Sequence, residues 1–204
     1  LYEEGRFKLA DPVAKYLPAF AATPVAVGDT HEPQRPLRPL QVRDLMTHTS
    51  GLTYDFSEDY PVAAQYRDAR LMNDGSRPLA EVIDVLATIP LAFHPGTKWH
   101  YSLGIDVAAR LIEVLSGRSV GEFLQERLFA PLGMTDTGYG IPEAERTRLA
   151  AMYGLPDLFA RHMTMSTLVD AFAKGDVGRR DVEESYPADR PEVFQRAGIG
   201  LFST

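Results

Sequence analysis

The chain has 204 residues, 45% of them hydrophobic and 24% charged, and a formal net charge of −7. At that length one domain buries roughly 70% of its unfolded surface, and the acidic balance argues against a nucleic-acid surface. There are no cysteines, which excludes disulfides, thiol catalysis and thiolate zinc sites, and no apolar run approaches the ~20 residues of a membrane span.

Leu1-Tyr-Glu-Glu-Gly5 reads as the last turn of a helix closed by glycine. Asp11-Pro12 supplies an N-cap and a proline at the first helical position, predicting a short helix to about Leu17. Pro18 to Pro39 is proline-rich and without periodicity, an irregular loop. Leu40 to Thr47 predicts two helical turns before the Thr49-Ser50-Gly51 turn. Helices follow over Pro61 to Met72 and Pro78 to Thr88, the second with Leu79, Val82, Ile83 and Leu86 on one face. The strongest helix runs from Leu103 to Ser116. Its buried stripe is Gly104, Ala108, Leu111, Ile112 and Leu115, with an Asp106–Arg110 pair on the wet side and Gly117 at its end. Ser119 and Glu122 form a capping box for a helix to about Phe129. Pro131 to Gly138 is a turn-rich connector, and Pro142 opens a helix to about Met152. Gly154 to Pro191 gives only short helices and polar turns. Strand signals are confined to Thr97–Tyr101 and Gly198–Phe202, so the pattern is mostly helical.

The stretch Pro95 to Gly117 is the most informative. Tyr101 and Ser102 stand where its helix begins, among orphan N–H groups and the positive end of the dipole, which favours an anion. His100-Tyr-Ser102-Leu-Gly104 matches half of G-x-S-x-G, but histidine replaces the glycine that permits the strained turn. His162, downstream, has no acid partner in the sequence. Asp136-Thr-Gly138 matches the aspartic-protease triplet yet falls in a proline- and glycine-rich turn. The histidines show no ligand spacing, and His94 and His100 lie across a Pro-Gly turn, so no metal and no cofactor are expected. His48, Thr49 and Ser50 suit a tight hydrogen-bonded turn. Trp99 could line a pocket, but packing beneath Tyr101 is the expectation.

Three blocks occur in one order: Leu45-Met-Thr-His-Thr-Ser-Gly-Leu52, Pro95-Gly96 with Tyr101-Ser102, and Pro131-Leu-Gly-Met-Thr-Asp-Thr-Gly138. With the run Ala197 to Thr204 following, the succession resembles the serine β-lactamase-related family: class C β-lactamases, penicillin-recognising D,D-peptidases and family VIII carboxylesterases. The resemblance spans essentially the whole chain. It implies an α+β β-lactamase/transpeptidase-like fold, of which residues 1–204 are a partial domain. That part is expected to be mainly α, a helical lobe with few short strands, truncated at both ends. Most of the antiparallel sheet would be missing, leaving an apolar surface exposed.

In that family a Ser-x-x-Lys supplies the nucleophile and its proton acceptor, a Tyr-x-Asn supplies a tyrosine general base, and a late Lys-Thr-Gly or His-Thr-Gly strand lines the opposite wall. By this resemblance Tyr101 falls on the tyrosine, Ser102 on the middle position and Leu103 on the asparagine. Leucine cannot hydrogen-bond a substrate's acylamino group, and the Tyr-Ser-Leu variant resembles the esterase branch. The residues three before Lys8, Lys15, Lys98 and Lys174 are Gly5, Pro12, Pro95 and Ala171, so no Ser-x-x-Lys occurs, and neither does Lys-Thr-Gly or His-Thr-Gly. The expectation is a fragment of a serine hydrolase that works through an acyl-enzyme on a small-molecule ester or β-lactam-like substrate. A carboxylesterase on short-chain esters fits best, with this chain inactive alone. The alternatives are a β-lactamase, D,D-peptidase or acyltransferase parent, or a non-catalytic homologue that binds peptidoglycan or a partner. Compartment and oligomeric state are not encoded in these motifs.

Overall fold

Apolar residues at helical spacing dictate where the core lies. The computed structural model describes residues 1–26, 33–57, 59–72, 74–154, 165–175, 178–180 and 188–204. Its α-helices are α1 (Val42–Met46), α2 (Ala63–Asp68), α3 (Leu79–Thr88), α4 (Gly104–Ser116), α5 (Val120–Leu124) and α6 (Met165–Lys174). Leu79, Val82, Ile83 and Leu86 of α3 are buried as their spacing predicts. They share one core with Val42 and Leu45 of α1, Tyr66 of α2 and Val107 and Leu111 of α4. Each such side chain removed from water contributes roughly 1.5–3 kcal/mol.

Helix α4 is the central element, lying against α1, α3 and α5. Its start is satisfied locally: Ser102 Oγ accepts the Gly104 N–H at 3.4 Å, and the Leu103 carbonyl accepts Asp106 N at 3.0 Å and Val107 N at 3.2 Å. It ends at Gly117, whose φ of 72° suits a residue without a Cβ. Gly104 is required for a different reason. A Cβ there would stand 2.8 Å from the Leu45 carbonyl oxygen, so only glycine lets α4 cross α1 this closely. The Ser119–Glu122 capping box forms as predicted, with α5 continuing as a π-helical turn over Gln125–Phe129.

Several expectations need correcting. Asp106 is not on the wet side; it is 3% exposed, and Arg110 pairs with Glu113 at 2.8 Å instead. The Asp106 carboxylate faces inward because the chain returns over α4, so that Oδ1 accepts Ala197 N at 2.9 Å and Gly198 N at 3.4 Å. Of the predicted stripe, Gly104 and Leu111 are buried while Ala108, Ile112 and Leu115 are half-buried, because Asp106, Val107 and Ala109 take inward positions. The helix predicted after Asp11 is a single 3-10 turn, Val13–Lys15. Pro18 to Pro39 contains a 3-10 helix, Pro18–Ala22, and an antiparallel pair, β1 (Val25–Ala26) with β2 (Pro33–Gln34). After Pro142 the chain makes a 3-10 helix, Glu143–Arg148, and then β3 (Met152–Gly154), which pairs antiparallel with β4 (Gly178–Arg180). Thr97–Tyr101 is not a strand, and Gly198–Phe202 contributes only a bridge between Phe202 and Gly138. His162 lies outside the described residues.

Large apolar side chains, including Val114, Leu128, Leu132 and Leu201, stand exposed. Among the described residues no helix is long and apolar enough to cross a membrane.

Candidate active site

The turn after α1 and the run leading into α4 are laced together by backbone bonds. Ala92 N donates to Gly51 O at 2.6 Å, Gly96 N to Thr49 O at 2.7 Å and His100 N to His48 O at 2.8 Å. Within Thr97–Tyr101 the backbone bonds go to turns rather than to a strand partner: Thr97 N to His94 O and His100 N to His48 O. The base of the turn is pinned by Asp44, which is buried and accepts two bonds from Arg38, at 2.7 and 2.8 Å. Asp44 also accepts Gln41 N at 2.9 Å and the Thr49 hydroxyl at 3.2 Å. Ser50 is fully buried, its Oγ accepting Leu52 N at 3.2 Å, and so serves the turn.

Tyr101 emerges from this scaffold 52% exposed. Its ring lies between two residues of the same turn, with centroids 4.9 Å from His48 and 5.0 Å from Tyr54. His48 adopts a left-handed φ of 53°, uncommon for a residue with a side chain, and its carbonyl holds His100. Tyr54 is buried and stacks on Phe56 at 4.8 Å. Trp99 is 69% exposed and its ring lies 6.2 Å from that of His48 at an interplanar angle of 72°; among the described residues it makes no ring contact with Tyr101, so it does not pack beneath it. Phe56, Trp99 and Tyr101 are all partly exposed, and His48 and Tyr54 link their rings.

Ser102 is fully buried and turned into the start of α4, so no substrate carbonyl reaches it and the half-elbow is a helix-start feature. Leu103 is buried as well. It lines a small cavity with Tyr54, Val82, Ile83, Asp106 and Gly198. His100 bonds the Thr53 hydroxyl through Nε2 at 2.9 Å, and burial lowers its pKa. His94 Nδ1 accepts Leu37 N at 3.3 Å. Asp136 pairs with Arg148 at 2.7 Å, which holds its carboxyl below the usual range and marks it as a surface ion pair. Among the described residues no group of three or more His, Cys, Asp or Glu could hold a metal. Of the residues singled out from the sequence, His48 meets the rings of Tyr101 and Trp99, while Ser50, Ser102 and Leu103 are buried. Tyr54 and Phe56, which carried no signal beyond following Leu52, lie beside Tyr101 and on Tyr54 respectively, and Asp106 takes partners far along the chain.

The Beta-lactamase family profile matches residues 1–196. The chain belongs to the Beta-lactamase family. Its relatives there include the lovastatin esterase of Penicillium rubens, 34% identical over 67% of this chain and 34% of the relative. The monacolin J acid methylbutanoyltransferase of Aspergillus terreus is 30% identical over 98% of this chain and 45% of the relative. Among solved structures, the LovD6 mutant of simvastatin synthase from Aspergillus terreus superposes with a TM-score of 0.68 at 29% identity, over 99% of this chain and 43% of that one. The chain thus spans less than half the length of these relatives. The fold is β-lactamase/transpeptidase-like, and this family of serine hydrolases has esterase and acyltransferase members.

Proposed function

We propose that this chain is the tyrosine-bearing helical lobe of a carboxylesterase acting on short-chain esters, with the Ser-x-x-Lys nucleophile and the late Lys/His-Thr-Gly wall supplied by parts of the protein outside these 204 residues. The observation that carries the reading is Tyr101: a half-exposed phenol at the head of a capped helix, its ring held between His48 and Tyr54. In this reading the tyrosine, with the lysine, takes the proton from the serine hydroxyl as that oxygen attacks the ester carbonyl. The leaving alcohol takes the proton back, and water releases the acyl group. A phenol has a free pKa near ~10, so it needs neighbouring cations to serve as a base; the lysine would be the chief one. By the family resemblance Leu103 takes the position of an amide that would recognise an acylamino side chain, and a hydrocarbon there favours esters over β-lactams.

The test is to assay the full-length protein on p-nitrophenyl butyrate and on nitrocefin. Ester turnover that exceeds lactam turnover and falls at least 100-fold in Tyr101→Phe supports the reading; near-normal activity in Tyr101→Phe sinks it. A second reading, acyl transfer to an alcohol from the same acyl-enzyme, is favoured by the 30% identity to a methylbutanoyltransferase over nearly the whole chain. Adding an acceptor alcohol separates the two, since transfer yields a new ester rather than free acid.

A further inference from the structure

His48 carries two local costs. Its backbone is left-handed, with a φ of 53°, where glycine or asparagine is the more usual occupant. Its Nδ1 is buried and has no hydrogen-bond partner among the described residues. A buried nitrogen without a partner is unfavourable, and backbone strain of this kind persists where the surrounding structure uses it. Asparagine or glycine at position 48 would remove the ring nitrogen and suit the backbone, and the carbonyl that accepts His100 N would remain. What the histidine alone supplies is its ring. That ring lies against Tyr101, with centroids 4.9 Å apart at 51°, and meets Trp99 at 6.2 Å.

We propose that His48 is a positioning residue for Tyr101: its imidazole, presented by the left-handed turn, braces the phenol against Tyr54 and limits it to one rotamer. Tyr101 is half exposed, and a side chain partly in water samples several staggered rotamers unless neighbouring groups close them off. Tyr54 closes one side from the core, buried and stacked on Phe56. His48 closes another from the turn. That turn is pinned by its own bonds, the Thr49 hydroxyl to Asp44 and Gly96 N to the Thr49 carbonyl. Because His100 N donates to the His48 carbonyl, the brace and the run leading to Tyr101 share one backbone frame. A general base must lie within hydrogen-bond reach of the proton it takes, so a tyrosine spread over several rotamers is out of place for much of the time.

The inference rests on Tyr101 being the base, but the brace itself is testable without turnover. In the full-length protein with isotope-labelled tyrosine, the three-bond couplings from the Tyr101 Cγ to its backbone nitrogen and carbonyl carbon report its rotamers. The wild type should show one rotamer and His48→Asn an average over several. A single rotamer in both proteins, or averaging already in the wild type, overturns the proposal. Asparagine suits the left-handed backbone, so His48→Asn should keep the wild-type urea midpoint, and His48→Gly repeats the measurement if that variant does not fold. On p-nitrophenyl butyrate, His48→Asn should lower kcat about 10- to 100-fold with KM little changed. His48→Phe returns a ring to the same place and should recover most of that loss; equal impairment of the two variants means that the ring is not the brace, and the proposal fails. If His48→Asn is normal while Tyr101→Phe is inactive, the positioning role alone fails. If Tyr101→Phe is active, the functional reading fails, and the rotamer measurement still decides whether His48 holds Tyr101.

Discussion

Asp106 is a carboxylate that α4 carries into the interior and that two backbone N–H groups then claim. Burial raises its pKa, opposed by the Gly198 and Ala197 bonds and by the charge of Arg196. A carboxyl raised in the folded state binds its proton more tightly there. Its contribution is fully present below the unfolded value near ~3.9 and is lost as pH rises through the folded one. Asn keeps an acceptor oxygen without the charge, so Asp106→Asn should gain stability relative to the wild type between pH 4.5 and pH 7.5, as measured by urea unfolding. Asp106→Leu leaves the N–H groups of Ala197 and Gly198 unpaired and should cost about 1–3 kcal/mol for each. Trp99, by contrast, stands in solvent at the rim. Trp99→Phe should leave the urea midpoint within about 0.5 kcal/mol of wild type. As the chain's single tryptophan, Trp99 also makes fluorescence a direct report on whatever approaches Tyr101.

The elements of the site depend on one close crossing, α4 over α1 at Gly104. An alanine there favours the helix by up to ~1 kcal/mol, but its methyl would meet backbone at Leu45, which cannot swing aside. Gly104→Ala should therefore destabilise by about 1–2 kcal/mol in chemical denaturation and displace Tyr101 from His48, read as a change in the Tyr101 ring resonances. The capping box at the start of α5 was legible from Ser119 and Glu122 because both partners sit within one turn, and the amphipathic face of α3 was legible for the same reason. The turn at His48–Gly51 was legible as a turn. Its bonds to the Ala92–His100 run were not, since they join residues whose proximity no local pattern encodes.

At the scale of the molecule, the chain builds a helical core of the β-lactamase type and leaves several large apolar side chains exposed. Alone, it should hydrolyse neither p-nitrophenyl butyrate nor nitrocefin above the rate of buffer, because no Ser-x-x-Lys is present; turnover abolished by Ser102→Ala would contradict this. The order of three motif blocks, with the Ala197–Thr204 run following, sufficed by sequence alone for the family and its β-lactamase/transpeptidase-like fold. Each block is itself local, written in residue type and spacing within a few residues. Only the tertiary structure decided that Ser102 and Leu103 are buried, that Asp106 faces inward, that Trp99 is exposed beside His48, and that Tyr54 lies against Tyr101. Each of these depends on which distant segment packs over which face, and burial reverses the preference that a polar or apolar side chain shows on a solvated helix.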